Sequence, residues 1–267
     1  MTQHVSKNVF ITGGSSGIGL ALAVLYHRRG YNVTIAGRNL DKLEAASEDR
    51  FLTYVLDVTS PESVEKVSKR YLAEHDNQAP DILINCAGVM IPGEFISMPE
   101  ENYWANIDVD FKGTVLMCKA IAPLMVERGS GQIVNVASVA GFLGIYGYTG
   151  YSAAKFAVMG FSEALRFELE PHGVTVHVAC PPDTKTPGLA LELSMRPEET
   201  DAIAGSIKPV AADVVARAIV QGIDKKKNTI VIGALSRLYY RLKGVWPELF
   251  YWIVSSDVKK VRKHKMC

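Results

Sequence analysis

Val9 to Gly19 reads VFITGGSSGIG. Its first four residues are a short apolar, β-branched run of the kind that forms a buried parallel strand. The run breaks into GGSSGIG, Gly13 to Gly19, and then into LALAVLYHRRG, which carries a helical pattern. Glycines between a strand and a helix let the backbone approach a diphosphate closely. The helix N-terminus adds free N–H groups and the positive end of its dipole. Gly13, Ser15, Ser16, Gly17, Ile18 and Gly19 are therefore candidate contacts to a dinucleotide. The stretch predicts an α/β fold, a single doubly wound Rossmann domain with helices on both faces of a mainly parallel sheet.

The flanking sequence supplies the remaining strands. Gly30 closes the first helix as its C′ residue, and Asn32 to Ala36 reads as strand two, ending in Gly37-Arg38-Asn39. An acid near this point binds a ribose 2′-hydroxyl, whereas an arginine suits a 2′-phosphate. Lys42, four residues on, brings a second cation within reach of the same phosphate, so NADPH is the expected cofactor. Phe51 to Leu56 is strand three, with Asp57-Val58 at its carboxyl end. Ser60-Pro61-Glu62 opens a helix with an N-cap, a first-turn proline and an early acid. Asp81 to Asn85 is strand four and leads into Asn85-Cys86-Ala87-Gly88. Pro99 to Arg128 predicts two helices, or one interrupted. Gln132 to Ala137, Val174 to Ala179 and Thr229 to Ile232 complete seven strands, with a helix at Val214 to Ile223 before the last.

Strand five delivers Ser138 to the carboxyl edge of the sheet, and the stretch that follows is SVAGFLGIYGYTGYSAAK, Ser138 to Lys155. Tyr151 and Lys155 are four residues apart and share one face of a helix running from about Tyr151 to Glu170. A phenol with its usual pKa of about 10 is a poor proton donor or acceptor near neutrality. An adjacent ammonium favours the phenolate and is expected to pull that value down. A hydroxyl, a phenol and a cation converging on one point suit proton transfer to a carbonyl oxygen. On the same helix Ala153, Ala154, Ala157 and Gly160 permit close packing.

With the glycine turn and this YxxxK pair both in view, the chain resembles the short-chain dehydrogenase/reductase family from about Asn8 to Gly233. The glycines at 13, 17 and 19 have that family's TGxxxGxG spacing. The resemblance implies that Ser138, Tyr151 and Lys155 are catalytic, with Tyr151 and Lys155 also touching the cofactor. It implies that Asp57 bonds the adenine amino group, that Val58 packs on the ring, and that Asn85, Ala87 and Gly88 lie along the cofactor. It implies dimers or tetramers built through the helices nearest the active site. Two residues depart from the family pattern. Cys86 stands where an Asn is usual, and Asp110 stands in the V-N-x-x-G position whose Asn holds a relay water.

After strand six comes Cys180-Pro181-Pro182-Asp183-Thr184-Lys185-Thr186-Pro187-Gly188. The resemblance implies that Pro181, Thr184 and Thr186 lie at the cofactor, with a Thr of this stretch hydrogen-bonding the nicotinamide amide. The doubled proline with Asp-Thr-x-Thr-Pro resembles one branch, the 3-ketodihydrosphingosine reductases, with Lys185 replacing an Asp. LALELSMRPEETDAIAGSIKP resembles the lid of that branch, Arg196 to Thr200 most closely. This implies reduction of a sphingoid ketone; a 3-oxoacyl thioester, a steroid or another apolar ketone is the alternative substrate, and a non-catalytic NADPH-binding membrane scaffold the alternative role. Independently of any resemblance, a segment of this length (about 183–207) between strand six and the next helix is an insertion able to close over a substrate. Its Leu189, Leu191, Leu193 and Met195 either touch an acyl chain or pack the segment onto the body.

Composition bounds the rest. A chain of 267 residues, 48% hydrophobic and 21% charged, is long enough for one large core, and its net charge of +1 argues against nucleic-acid binding by the whole molecule. The four cysteines have no metal-ligand spacing, and Cys86 and Cys180 end apolar runs, which predicts buried free thiols. The polar N-terminus, MTQHVSKN, enters the first strand at once, which implies no leader and a reducing cytosolic setting. Residues 1–236 are expected to form the reductase domain and 237–267 a basic, aromatic C-terminal segment. Arg237 to Lys265 holds eight Lys and Arg against Glu248 and Asp257, net +6, leaving the remainder at −5. Tyr239, Tyr240, Trp246, Phe250, Tyr251 and Trp252 interleave with these charges. The apolar run Leu249 to Val254 is too short to span a bilayer. The segment suits peripheral contact with a membrane through 237–265, or a helix packed against a second subunit.

Overall fold

The computed structural model describes residues 7–204 and 208–265. The first residues of the N-terminal stretch, the end of the 183–207 segment and Cys267 lie outside these.

Seven parallel strands form one sheet: β1 (Asn8–Thr12), β2 (Asn32–Gly37), β3 (Leu52–Val55), β4 (Ile82–Asn85), β5 (Gly131–Val136), β6 (Val174–Cys180) and, later in the chain, β9 (Thr229–Val231). Their order is β3-β2-β1-β4-β5-β6-β9, and the pairing is parallel throughout. The chain steps outward from β1 in one direction and restarts at β4 on the other side. The carboxyl ends of β1 and β4 therefore flank a topological switch point, where ligands of such sheets bind. All four residues of β4 are buried, as a strand covered on both faces requires.

One face carries α1 (Gly17–Arg28) and α9 (Ala212–Asp224). Leu22, Ala23 and Tyr26 of α1 and Val215, Ile219 and Ile223 of α9 share a core with Val9, Ile11 and Ile35. The opposite face carries α3 (Pro61–Glu74), α5 (Gly113–Arg128) and α6 (Thr149–Leu169). Here Val64, Val67, Tyr71, Met117, Ile121 and Leu169 pack on Phe10, Leu83 and Ile133. The helix starts follow local chemistry. Ser60 caps α3 by accepting from Ser63 N, with Pro61 at its first position, and Asn39 caps α2 (Leu40–Ser47) by accepting from Lys42 N.

The expected interruption between Pro99 and Arg128 is a specific device. α4 (Glu100–Ile107) runs into α5 through a π-helical turn, Asp108–Lys112. A π turn inserts a residue into the helical ladder and re-aims the side chains around it. Here it turns Asp110 inward, where it is buried.

The 183–207 segment and the C-terminal segment both have structure of their own. Thr186 caps α7 (Pro187–Leu193) by accepting from Leu189 N, and α8 (Glu198–Ala204) follows. The ends of the segment are tied by a short parallel pair, β7 (Thr184–Lys185) with β8 (Val210–Ala211). The compositional boundary at residue 237 falls inside a helix, α10 (Ala234–Val245), which joins α11 (Pro247–Lys265). These helices are not an appendage to the body. Phe250 is buried in a core cluster with Phe142, Leu143 and Val158, Lys243 Nζ donates to the Phe142 carbonyl (2.6 Å), and α11 packs along α8. Among the described residues no helix is long and apolar enough to cross a membrane.

Candidate active site

The glycine turn is set by contact. Gly13 has a φ of 68°, and a Cβ there would lie 2.8 Å from the Ala87 backbone; one on Gly19 would lie 2.3 Å from the Gly13 carbonyl oxygen. Neither position accepts a side chain without moving backbone. Thr12, at the end of β1, accepts from the backbone N–H groups of Cys86 and Ala87, both at 3.1 Å. This hydroxyl, which the sequence reading did not single out, pins the loop after β4 beside the glycine turn. No side chain caps α1 and its first turn holds no acid.

Above the carboxyl edge opens a cavity of about 710 Å³. Gly13, Ser15, Ser16, Gly17, Ile18, Gly19, Arg38, Asp57, Val58, Ala87, Gly88, Ser138, Tyr151, Lys155, Pro181, Thr184 and Thr186 all line it. Two expected residues do not. Asn85 is buried beneath the floor, its amide donating to Asn135 Oδ1 (2.9 Å) and to Cys118 Sγ. Lys42 is exposed on α2, outside the cavity wall. Of the four apolar side chains in the insertion, Leu189, Leu191 and Met195 face the cavity, while Leu193 is turned to solvent. Tyr239 of α10 and Phe250, Ile253 and Val254 of α11 close the far end.

Asp57 accepts from both the N–H and the hydroxyl of Thr59 (2.9 and 2.8 Å). The backbone bond, aided by the Thr59 hydroxyl and Arg38, holds its carboxyl below the usual range. Cys86, in the family's Asn position, is half-buried on the cavity wall with Cys118 and Cys180 buried elsewhere, all three free. Burial pushes the Cys86 thiol up to about 12.

Ser138, Tyr151 and Lys155 meet as their spacing predicts. Ser138 follows β5 and caps a short turn at Val139–Gly141 by accepting from Ala140 N (3.1 Å). Tyr151 and Lys155 sit in the first turns of α6, with the ammonium 5.5 Å from the phenol ring centre. The ammonium is 6% exposed; it donates to the Val136 carbonyl (3.1 Å) and lies 3.7 Å from Asp110 Oδ2. Asp110 Oδ1 accepts from Val89 N (2.8 Å). A Cβ on Gly88 would lie 2.8 Å from that same oxygen, so the glycine is required by the carboxylate.

This corrects the expected direction for the phenol. Burial raises the Tyr151 pKa, the Asp110 carboxylate raises it further, and a hydrogen bond with Ser138 opposes both. Burial and the nearby carboxylate thus favour the protonated phenol over the phenolate. A protonated phenol, a hydroxyl and a cation around one point can hold a carbonyl oxygen and deliver a proton to it.

Comparison with known proteins agrees with this geometry. The profile of the family described as short chain dehydrogenase matches residues 7–196. The chain is 36% identical over 239 residues to a 3-ketodihydrosphingosine reductase of Dictyostelium discoideum, covering 81% of this chain and 72% of that one. It is 38% identical over 266 residues to a 3-dehydrosphinganine reductase of Arabidopsis thaliana, covering 94% and 78%. A short-chain dehydrogenase from Sphingobium yanoikuyae, solved in complex with NADPH, superimposes with a TM-score of 0.76 at 27% identity, covering 92% of this chain and 95% of that one.

Asp110 makes the buried pair sensitive to pH. Burial raises its pKa to about 6, against the lowering effects of Lys155 and the Val89 N–H. Folded Asp110 thus holds its proton more tightly than the unfolded chain, where a carboxyl titrates near 4. Its contribution to stability is full below about pH 4 and is lost as the pH rises through about 6. Asp110→Asn lacks this titration. The melting temperature of the variant minus that of the wild type is expected to increase from pH 4 to pH 7, by the equivalent of at most about 3 kcal/mol. A difference that stays constant over that range would refute the assignment.

Proposed function

The chain belongs to the short-chain dehydrogenase/reductase family of oxidoreductases, and from that premise we propose that it reduces 3-ketodihydrosphingosine to dihydrosphingosine with NADPH. The observation that carries the reading is one cavity in which Ser138, Tyr151 and Lys155 meet a long apolar wall, built by Leu189, Leu191 and Met195 of the insertion and Phe250 and Ile253 of α11. The names of the two relatives support the same substrate.

The residues present fit a phosphorylated dinucleotide. The glycine turn brings backbone to the cavity, the uncapped N-terminus of α1 offers free N–H groups, and Arg38 supplies a cation on the wall beyond β2. Asp57 and Val58 would hold the adenine end, and Tyr151, Lys155, Pro181, Thr184 and Thr186 the nicotinamide end. When bound, the cofactor supplies the hydride. Ser138 holds the substrate's carbonyl oxygen by a hydrogen bond. Tyr151 donates its proton to that oxygen as negative charge builds there. Lys155 stabilises the phenolate left behind, and Asp110 holds its ammonium in place. The insertion acts as a lid that excludes water from this step.

The outer surface of α10–α11 supports peripheral contact with a lipid surface. Val245, Trp246 and Trp252 are 71%, 64% and 69% exposed, on a pair of helices otherwise rich in lysine and arginine. Aromatic side chains flanked by cations are favoured at the interface of an anionic bilayer.

Four measurements check this reading. NADPH oxidation is expected with detergent-dispersed 3-ketodihydrosphingosine in preference to a 3-oxoacyl thioester or a steroid ketone; Tyr151→Phe is expected to lower kcat by about 10²–10⁴ with NADPH binding retained. Turnover of another ketone alone, or an active phenylalanine variant, removes the substrate or the mechanism respectively. Arg38→Asp is expected to shift the NADPH-over-NADH preference by roughly 100-fold, and an unchanged ratio would place the 2′-phosphate elsewhere. The protein is expected to sediment with anionic vesicles, with Trp246→Ser/Trp252→Ser markedly weakening the association; equal sedimentation of the variant would rule out these helices as the contact.

A further inference from the structure

Behind Tyr151 lies a buried cluster of charge that the hydride and proton chemistry does not use. Tyr148, one turn before Tyr151, stands edge-on to it with ring centroids 5.9 Å apart. The Tyr148 hydroxyl donates to Glu192 Oε1 of α7. Arg196 Nε donates to that same oxygen (2.7 Å), and its Nη2 donates both to it and to Asp183 Oδ2 (2.8 Å). Glu192 Oε1 therefore takes three donors. Glu192 Oε2 takes none, although the side chain is fully buried.

Charge and placement point the same way. The two carboxylates face one guanidinium within the cluster; Asp201, 3.5 Å from Arg196 Nη1, is exposed and lies outside it. Glu192, Asp183 and Tyr148 line the cavity and Arg196 does not. Glu192 thus stands in the cavity wall with one carboxylate oxygen lacking a donor, beside the partly exposed Asp183. A buried carboxylate oxygen without a donor is unfavourable unless a ligand completes it. Both carboxylates act on the Tyr151 phenol in the same sense, raising its pKa, so their field reaches the position of the reacting carbonyl.

We propose that Glu192, assisted by Asp183, is the recognition site for a primary ammonium group on the carbon next to the reacting ketone. The inference rests on the reading above and deepens it, because a sphingoid ketone is an α-amino ketone. With the carbonyl oxygen held by Ser138 and Tyr151, the adjacent ammonium donates to Glu192 Oε2 and neutralises the excess charge. Amine recognition then separates this substrate from apolar ketones that fill the same wall. Because Glu192 also joins α7 to Tyr148 and Arg196, binding of the ammonium completes the contact that holds the lid over the catalytic helix.

The test compares 3-ketodihydrosphingosine with its deamino analogue, in which hydrogen replaces the amine, at saturating NADPH. Wild type is expected to prefer the amino ketone in kcat/KM by at least about 100-fold. Glu192→Gln keeps an acceptor for Tyr148 and Arg196 but removes the charge; it is expected to shrink that preference at least tenfold, through KM. An independent readout is calorimetric binding of dihydrosphingosine against its N-acetyl form, where the same variant loses most of the difference. Should Glu192→Gln not fold, as judged by circular dichroism, Asp183→Asn removes one charge from the same cluster and is expected to lower the preference in the same direction. Equal use of the amino and deamino ketones by wild type overturns the inference and leaves the sphingoid-ketone reading standing, as does an unchanged preference in a folded variant. Failure to turn over either, with turnover of an unrelated ketone, overturns both.

Discussion

A lysine ammonium buried at the carboxyl edge of the sheet must be compensated, and the active-site region is assembled around that requirement. The compensation of Lys155 comes from three separate pieces of chain: the Val136 carbonyl at the end of β5, the Asp110 carboxylate from the π turn between α4 and α5, and the phenol face of Tyr151. Asp110 in turn anchors the loop after β4 through Val89, and that loop is held from the other side by Thr12 at the end of β1. One buried charge thereby ties together the ends of β1, β4 and β5, the π turn before α5 and the start of α6. The Asp110 carboxylate acts in the same sense as burial, raising the Tyr151 pKa.

The substrate end of the cavity follows a different logic. Its walls come from parts of the chain that are distant in sequence, the α7–α8 insertion and the α10–α11 pair, which pack on each other and on the turn before α6. Thr200 Oγ1 donates to the Tyr146 carbonyl (2.7 Å), and Pro197 lies against Gly147, where a Cβ would come within 3.0 Å. The insertion is therefore seated on the residues that lead into Tyr148 and Tyr151. An apolar wall of this kind accommodates many chains; the polar Tyr148–Glu192–Arg196–Asp183 cluster set into it is what carries specificity, since a buried acceptor discriminates far more sharply than an apolar surface.

Much of this was legible in the chain alone, for identifiable reasons. The glycine turn, the succession of strands marked by apolar runs, and the Ser138/Tyr151/Lys155 set are all short-range patterns, in which spacing along the backbone dictates position in space. Arg38 is legible for the same reason, being tied to the end of β2. The readings that changed depend on direction rather than spacing. Asn85 donates to the amide oxygen of Asn135 beneath the cavity floor, Lys42 is exposed in the first turn of α2, and Leu193 falls on the outer side of a helix of under two turns. The tail's composition suggested an appendage, whereas Phe250 docks into the core beside Phe142.

The sequence by itself determined the doubly wound fold, the glycine turn and the convergence of Ser138, Tyr151 and Lys155, because each is encoded in local periodicity and in residue types close together in the chain. Tertiary structure alone decided the ionisation of that site and the shape of its substrate end. The raised pKa of Tyr151 depends on its burial and on Asp110 beside it, and which carboxylates line the cavity depends on how α7 is placed against it. Both are set by burial and by charge–charge distance between segments far apart in the chain, quantities that exist only once the chain has folded.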